Sequence, residues 1–377
     1  MREYVLVLLT AAMATYLTAG LFRRLAMRAG AVAPVRERDV HAVPIPYFGG
    51  VAMFVGLAFA FLLATQLPFL GRLDIVSHDA GAVLAASLVI CGVGVLDDMI
   101  DLPAIVKMAG QVLAAGIVVV QGVRMYWIPL PNSIIALDMA TSILVTVLFI
   151  VLCANAVNFI DGLDGLAAGV VAVGAGAFFL YTYLLAYEQD FARATTASLV
   201  TTVTTGICLG FLPHNFFPAR MFMGDSGSML LGLLLATSTI SLTGQIDSSL
   251  LRANEGGLVP SYLPIILPLA ILALPLLDLV LAYIRRTNDG RWWFVADKQH
   301  LHHRLLQLGH SHVRAVSVMY LWTALLSFGV IAVGVYLNRW TFLVLTVLLV
   351  ALVILTVGPR LRRRGLSTGA DESTPRS

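Results

Sequence analysis

The chain has 377 residues, of which 59% are apolar and 12% are charged, and its mean hydropathy is +0.89. Soluble domains are about 45–50% apolar and about 25% charged, and a soluble fold could not cover this much apolar surface. The composition therefore excludes an ordinary soluble protein. We expect an all-α polytopic membrane protein that has no nucleic-acid partner.

Eleven stretches predict transmembrane helices, since about 20 apolar residues cross a hydrocarbon layer of roughly 30 Å. They cover residues 4–22, 48–70, 80–96, 104–121, 141–159, 165–186, 194–212, 227–243, 261–284, 315–336 and 340–357. Segment 123–139 is too short and too often interrupted by Pro to cross, and its aromatic residues predict an interfacial hairpin. We expect one membrane domain over residues 1–357 and a basic, disordered tail over 358–377.

Lys and Arg lie mostly on one side of this predicted bundle. Of the 24 basic residues, 18 fall in loops on that side and in the tail, and the other six fall on the opposite side. Because cytoplasmic loops carry the excess of Lys and Arg, we predict an outer N-terminus and a cytoplasmic C-terminus. The predicted cytoplasmic active-site loops are 23–47, 97–107, 159–165, 213–226 and 285–314.

The third span ends in three carboxylates, Asp97, Asp98 and Asp101. A helical continuation would place them on one face, where they repel one another and one takes up a proton. A hard divalent cation such as Mg²⁺ removes this conflict, and it is usually held by one or two carboxylates plus substrate phosphates. A solvated helix end without a function is the alternative interpretation.

The fifth span ends in four polar residues at a strict spacing of three, namely Asn155, Asn158, Asp161 and Asp164. Amide and carboxylate oxygens are hard ligands, and the amide N–H groups can donate to phosphate or sugar oxygens. Helix capping is the alternative, but capping needs one or two such residues rather than four. The ladder therefore favours a functional site.

Two more polar residues lie where spans begin. Asp225 is flanked by Gly224 and Gly227, which allow a ligand to approach the backbone, and free N–H groups at a helix start can bind an anion. An N-cap aspartate is the alternative. Lys107, at the start of the fourth span, can hold phosphate oxygens or simply extend its ammonium to the interface.

The loop 285–314 carries five histidines, among them His300, His302 and His303, beside Arg304. Their spacing does not match a zinc site, although zinc stays an alternative. A cluster of His and Arg that binds anions fits better, and a solvated basic loop is the third interpretation. Asp278, inside the ninth span, is either a functional carboxylate or a structural one.

Acidic residues of the metal-binding type thus face basic residues of the phosphate-binding type at one boundary between membrane and water. Phosphoryl transfer assisted by a metal needs this arrangement, because the protein mainly neutralises charge and positions oxygens. Its place at the interface predicts one water-soluble substrate and one lipid substrate. An ion-coupled transporter is the rival from another class, but it predicts charges near the midplane and an inverted repeat.

Five motifs in order resemble those of the polyprenyl-phosphate N-acetylhexosamine-1-phosphate transferases (glycosyltransferase family 4). They are PIPYFGG at 44–50, the pair Asp97 and Asp98, NAVNFIDGLDG at 155–165, FMGDSGS at 222–228 and HLHH at 300–303. The His loop and PLLD at 275–278 resemble the bacterial branch that moves GlcNAc-1-phosphate from UDP-GlcNAc to undecaprenyl or decaprenyl phosphate. The muramoyl-pentapeptide transferases are the alternative within the family.

The resemblance implies an Mg²⁺ enzyme of the bacterial plasma membrane, with Mn²⁺ as a substitute, that releases UMP in the first membrane step of cell-envelope glycopolymer synthesis. It implies that Asp97, Asp98, Asn158 and Asp225 are catalytic, and that Asp225, Asn158 and Asp97 hold the metal. The implied substrate-binding residues are Lys107, Asn155, Asp161, Asp164, Phe222, Gly224, His300, His302, His303 and Arg304, with Phe222 stacked on uracil. The resemblance leaves open whether the protein forms a homodimer.

Tyr47 departs from the family pattern, because relatives often carry a basic residue before the Gly pair at 49–50. A phosphate contact from this position is therefore not expected.

Overall fold

The structure is a computed structural model, and it describes residues 1–32, 44–130, 133–188, 194–243, 259–273, 301–336 and 338–371, with Leu276, Leu277, Val280, Ile284 and Thr287. About 83% of these residues are helical. The helices are α1 (Arg2–Ala29), α2 (Gly49–Gln66), α3 (Asp74–Ile100), α4 (Ala104–Val120), α5 (Met139–Ile160), α6 (Leu166–Glu188), α7 (Ala194–Asn215), α8 (Gly224–Thr243), α9 (Val259–Ile271), α10 (Leu301–Gln307), α11 (His312–Val335) and α12 (Arg339–Asp371).

Nine helices in the described part of the chain are long and apolar enough to span a membrane. Two of the eleven predicted spans are not among them. One is α4, which has 17 residues and a length of about 25 Å at 1.5 Å per residue. The other is the predicted span 261–284, of which the structure describes α9 and a few single residues beyond Ala273. The helical membrane class is confirmed, and the total of eleven stays a prediction.

The hairpin predicted over 123–139 is confirmed. Strand β1 (Trp127–Leu130) pairs antiparallel with β2 (Ser133–Ala136), with Trp127 opposite Ala136. The hairpin is attached to the N-terminal part of α5, because Met125 N–H donates to Thr146 Oγ1 at 3.0 Å and Ser142 Oγ donates to Met125 O at 2.6 Å. It therefore lies at the end of the bundle that is opposite to the C-terminus of α5.

Consecutive helices run up and down, so that alternate helix ends meet. Glu3 of α1 accepts hydrogen bonds from the N–H groups of Phe69 and Leu70, just after α2, at 2.9 Å each. At the other end, the C-termini of α3, α5 and α7 meet the N-termini of α2, α4, α6 and α8 through contacts that the next section gives. This second end gathers the polar residues that the sequence singles out.

Helix α8 is the centre of the bundle, and its apolar window is wholly buried, whereas that of α12 is almost wholly exposed. Several Ser and Thr side chains of α8 donate within the helix; Thr237 and Ser238, for example, donate to carbonyls four residues earlier at 2.9 and 2.7 Å. Such small polar residues allow close helix packing in a membrane. Helix α12 runs to Asp371, into the segment predicted as a tail, and disorder of residues 358–377 stays a prediction.

Candidate active site

Lys107 bridges two carboxylates at the end of the bundle where alternate helices meet. Its Nζ lies 2.6 Å from Asp97 Oδ2 and 2.5 Å from Asp225 Oδ2. Three helices, α3, α4 and α8, thus bring together residues that are 10 and 118 positions from Lys107 in the chain. Asp97 also accepts from Leu102 N–H at 2.9 Å, which holds the connection between α3 and α4. The partners of Lys107 exclude the interpretation that this side chain only extends to the interface.

Asp98 caps helix α8 from outside. One of its carboxylate oxygens accepts from Asp225 N–H at 2.8 Å, and the other accepts from Ser226 Oγ at 3.0 Å and from Ser226 N–H at 3.4 Å. A helix N-terminus has free N–H groups and a partial positive charge, so it stabilises this carboxylate. Gly224 begins the helix with φ +69°, and a Cβ there would overlap the Asp98 carboxylate. The cap is therefore Asp98, and Asp225 lies in the first turn.

Asn158 joins the cluster from α5. Its Nδ2 donates to Asp225 Oδ1 at 2.8 Å and to Ser228 Oγ at 2.9 Å. Both oxygens of Asp225 are thus engaged, one by Lys107 and one by Asn158. Ser228 was not singled out from the sequence, although it lies one helical turn after Asp225 in a motif rich in Gly and Ser.

Asn155, expected to bind substrate, points into the bundle. Its Nδ2 donates to Gln111 Oε1 at 2.7 Å and to Val151 O at 2.8 Å, and Gln111 Nε2 lies 3.5 Å from Asn155 Oδ1 and 3.1 Å from Met229 Sδ. Substrate binding by Asn155 stays a prediction, and in this structure its amide is paired with Gln111.

Asp161 and Asp164, the last two of the four polar residues at a spacing of three, lie beyond the end of α5. Asp161 lies just past the end of α5, where burial, reinforced by the negative charges of Asp225, Asp98 and Asp164, raises the pKa of its carboxyl to about 8. Asp164 is buried, and its Oδ2 accepts from Ala219 N–H at 2.9 Å. Asp164 therefore holds the segment that leads into α8.

Asn215 and Tyr320 also hold the segments between α5 and α6 and before α8, and neither residue was predicted from the sequence. Asn215 is buried and accepts from Gly165 N–H at 3.0 Å while donating to Met221 O at 3.0 Å. Tyr320 Oη of α11 donates to Gly165 O. Asn215 carries a weak signal, an amide at the end of an apolar run, whereas a lone Tyr inside such a run carries none.

The PIPYFGG segment runs beside the FMGDSGS segment as a short ladder. Phe222 N–H donates to Pro46 O at 3.0 Å, Gly49 N–H donates to Phe222 O at 3.1 Å, and Gly50 N–H donates to Met223 O at 3.0 Å. A Cβ on Gly50 would overlap the backbone of Gly227, so this Gly allows the close approach. The ring of Phe222 lies 6.3 Å from that of Tyr47. The role of Phe222 in stacking on uracil stays a prediction.

The histidine loop is largely outside the described residues. His300 and Asp278 are not described, nor are the side chains of His302 and His303, whose backbone belongs to α10. Arg304 of the same helix is exposed. The predicted roles of these residues stay predictions.

The donor set of the cluster fits a hard divalent cation. No three His, Cys, Asp or Glu side chains converge as a metal cage within the part of the chain that the structure describes. However, Asp97 Oδ2 and Asp225 Oδ2 already converge on one cationic nitrogen. Two carboxylates with substrate phosphates are the usual environment of Mg²⁺, so these two oxygens suit an ion that phosphates complete.

A bundle of apolar helices with one polar cluster of carboxylates, amides and a lysine at a single end defines a polytopic membrane protein. Its chain matches the family model described as glycosyl transferase family 4 over residues 80–243. This range includes Asp97, Lys107, Asn158 and Asp225.

Several bacterial proteins are similar to this chain. The decaprenyl-phosphate N-acetylglucosaminephosphotransferase of Mycobacterium tuberculosis is 45% identical over 368 residues, which cover 96% of this chain and 90% of that protein. A probable undecaprenyl-phosphate N-acetylglucosaminyl 1-phosphate transferase of Bacillus subtilis is 35% identical over 79% of this chain and 76% of its own length. The phospho-N-acetylmuramoyl-pentapeptide-transferase of Desulforudis audaxviator is 35% identical, but over 54% of this chain and 64% of its own length. The chain therefore belongs to glycosyl transferase family 4, and the resemblance noted in the sequence is confirmed.

Proposed function

We propose that this protein transfers GlcNAc-1-phosphate from UDP-GlcNAc to a polyprenyl phosphate, undecaprenyl or decaprenyl, and releases UMP. The product would open the membrane stage of cell-envelope glycopolymer synthesis. The observation that carries the proposal is the convergence of Asp97, Lys107, Asn158 and Asp225 at one end of a membrane bundle, in a chain related over nearly its whole length to proteins named for this transfer.

The chemistry needs little covalent work from the protein. An oxygen of the lipid phosphate attacks the β-phosphorus of UDP-GlcNAc, the new P–O bond forms, and the P–O bond to UMP breaks. A phosphate monoester has a second pKa near 6, so the acceptor is largely a dianion at neutral pH and needs no strong base. Orientation and neutralisation of charge then dominate the rate.

Direct attack is favoured over a covalent intermediate on Asp98. Both oxygens of this carboxylate accept hydrogen bonds from the N-terminus of α8, and a carboxylate held in this way is a weakened nucleophile. We assign Asp98 the task of holding the backbone of Asp225. Lys107 is assigned to the phosphate oxygens, because a partly buried ammonium is a strong donor to them.

Asp97 and Asp225 would hold Mg²⁺, or Mn²⁺ in its place, with Asn158 beside Asp225. Bound there, the ion would neutralise the diphosphate and polarise its oxygens. The chain's own residues supply the remaining work, since Asn158 orients the side chain of Asp225 and Asp98 holds its backbone.

We propose that the site faces the cytoplasm of a bacterial plasma membrane. The support is the distribution of charge along the sequence: 18 of the 24 Lys and Arg residues fall in the stretches predicted to lie on the same side as Asp97, Lys107 and Asp225, as the positive-inside rule requires.

The test is an assay of the purified protein in detergent with labelled UDP-GlcNAc, a polyprenyl phosphate and Mg²⁺. We expect UMP release and a lipid-linked GlcNAc diphosphate, both dependent on the acceptor. A panel with UDP-GalNAc and UDP-MurNAc-pentapeptide tests the donor. Failure to release UMP with any donor would contradict the proposed enzyme.

A further inference from the structure

Directly beneath the cluster, the buried amide of Gln111 on α4 pairs with the partly buried amide of Asn155 on α5. Asn155 Nδ2 donates to Gln111 Oε1 at 2.7 Å, and the return contact from Gln111 Nε2 to Asn155 Oδ1 is 3.5 Å. Gln111 is 1% exposed and also donates to Met229 Sδ of α8 at 3.1 Å. A buried amide without hydrogen-bond partners costs free energy, so Gln111 requires the partners that Asn155 and Met229 provide.

The amide pair and Met229 lie on three of the four helices that form the cluster, one turn deeper. Gln111 follows Lys107 by four residues, Asn155 precedes Asn158 by three, and Met229 follows Asp225 by four. Residues three or four apart lie on the same helix face, about 5.4 Å apart along the axis. The pair therefore forms a second layer of polar contacts beneath the first.

The rotation of helix α4 decides where Lys107 points, and Gln111 is the polar member of a buried face that otherwise consists of small and apolar residues, among them Gly110 and Ala114. The helix is apolar almost all round, and Ile105, Met108 and Leu113 are exposed. In a membrane no hydrophobic force selects which apolar face meets a neighbouring helix, so close packing of small residues and interhelical hydrogen bonds select it. Next to Gln111 on the buried face, Gly110 lies against Val93 of α3, which sets the distance between α4 and α3.

We propose that Gln111 and Asn155 are positioning residues, whose amide pair fixes the rotation of α4 so that the Lys107 ammonium lies between Asp97 and Asp225. The inference rests on the proposed function for its effect on turnover. It gives Asn155 a role through Lys107 rather than through the substrate.

The kinetic test compares Gln111→Leu, Asn155→Leu, the double Leu variant and the swapped pair Gln111→Asn with Asn155→Gln. Misplacement of a reacting group by about 1 Å can cost up to roughly 100-fold in rate. We expect each single variant to lose roughly 10- to 100-fold in kcat with the KM for UDP-GlcNAc little changed. The double Leu variant should be no worse than either single one, and the swapped pair should recover activity because it restores two facing amides.

A second readout does not depend on turnover. Lys107 and Lys298 are the two lysines of the chain, so labelling with an amine-reactive reagent and mass spectrometry can compare them within one sample. Loss of the amide pair should release Lys107 from its carboxylates and raise its labelling several-fold relative to Lys298, even if the protein transfers another sugar. Gln121→Leu, at the exposed end of the same helix, is the matched control and should change neither readout.

Two outcomes would overturn the proposal. One is a raised KM for UDP-GlcNAc in Asn155→Leu with no effect of Gln111→Leu, since Asn155 would then contact the substrate. The other is unchanged Lys107 labelling in both folded single variants, whatever their melting temperatures.

Discussion

The carboxylate of Asp98 accepts a hydrogen bond from the backbone N–H of Asp225 at 2.8 Å. One acidic residue thus fixes the main chain of another, across 127 positions of sequence. The side chain of Asp225 is then free to meet Lys107 and Asn158. The two aspartates can lie this close because the helix N-terminus provides positive partial charge between them.

Replacing Asp98 should affect stability as well as rate. Asp98→Ala removes the cap of α8, and loss of an N-cap costs about 1 kcal/mol, so the melting temperature should fall. Asp98→Asn keeps an oxygen that can accept from Asp225 N–H, so its loss should be smaller. Thermal unfolding in detergent measures both variants, and equal destabilisation by Ala and Asn would contradict the capping role.

Asp225→Asn should abolish turnover while the protein stays folded. The amide keeps the shape of the carboxylate but removes the negative charge that pairs with Lys107 and would hold the metal. We expect a loss of at least about 100-fold, similar to the loss of one preorganised electrostatic group in other enzymes. Asp101→Asn, at an exposed position after α3, is the control and should retain activity. Substantial turnover by Asp225→Asn would remove its assigned role.

Lys107→Met should separate metal binding from catalysis. In the ligand-free protein the ammonium occupies the oxygens that a divalent cation would use, so its removal should tighten Mn²⁺ binding, measured by EPR. A hydrogen bond to a charged group contributes about 1.5–3 kcal/mol, which corresponds to roughly tenfold or more in affinity.

Turnover by Lys107→Met should nevertheless fall, because the phosphate donor is lost. The matched control is Arg72→Met, at the opposite end of the bundle, which should alter neither quantity. Weaker Mn²⁺ binding in Lys107→Met would show that the Lys does not compete with the cation.

Two glycines of α3 offer a matched pair of substitutions. A Cβ on Gly94 would overlap the backbone of Ser226, whereas nothing lies within 4 Å of one on Gly92. Gly94→Ala should push α8 away from α3 and lower both stability and turnover. Gly92→Ala should be neutral or stabilise the helix by up to about 1 kcal/mol. Similar melting temperatures for the two variants would contradict the close approach of α3 and α8.

Asp161 predicts a pH dependence of stability. Its carboxyl has a pKa of about 8 in the folded protein, against about 3.9 in an unfolded chain. Between these values the folded state keeps a proton that the unfolded state releases, so the stability of the wild type falls as pH rises.

Asp161→Asn removes this effect. Its melting temperature relative to the wild type should therefore increase from pH 5 to pH 8 and then level off, measured with EDTA present. A difference that is constant over this range would show that the pKa is not raised.

Part of this architecture could be predicted from the residues alone. Apolar length predicted the spans and the interruption at 123–139; nine of these stretches are helices long and apolar enough to span a membrane, and the hairpin is confirmed. The ladder from Asn155 to Asp164 marked the polar end of α5. Its members nevertheless make different hydrogen bonds: Asn158 donates to Asp225, Asn155 donates to Gln111, and Asp164 accepts from the backbone of Ala219. Spacing could not distinguish these partners, because it places side chains on a face without showing what that face meets.

The residues by themselves determined that the chain is a helical membrane protein, since burying so many apolar side chains in lipid depends on composition and run length alone. They also determined which carboxylates, amides and basic groups are unusual for such a chain. Only the tertiary structure decided that Lys107 bridges Asp97 and Asp225, that Asp98 caps α8 and that Gln111 pairs with Asn155. A helix that is apolar on every side carries no pattern that specifies its rotation, so the partner of each polar side chain is settled by packing between helices.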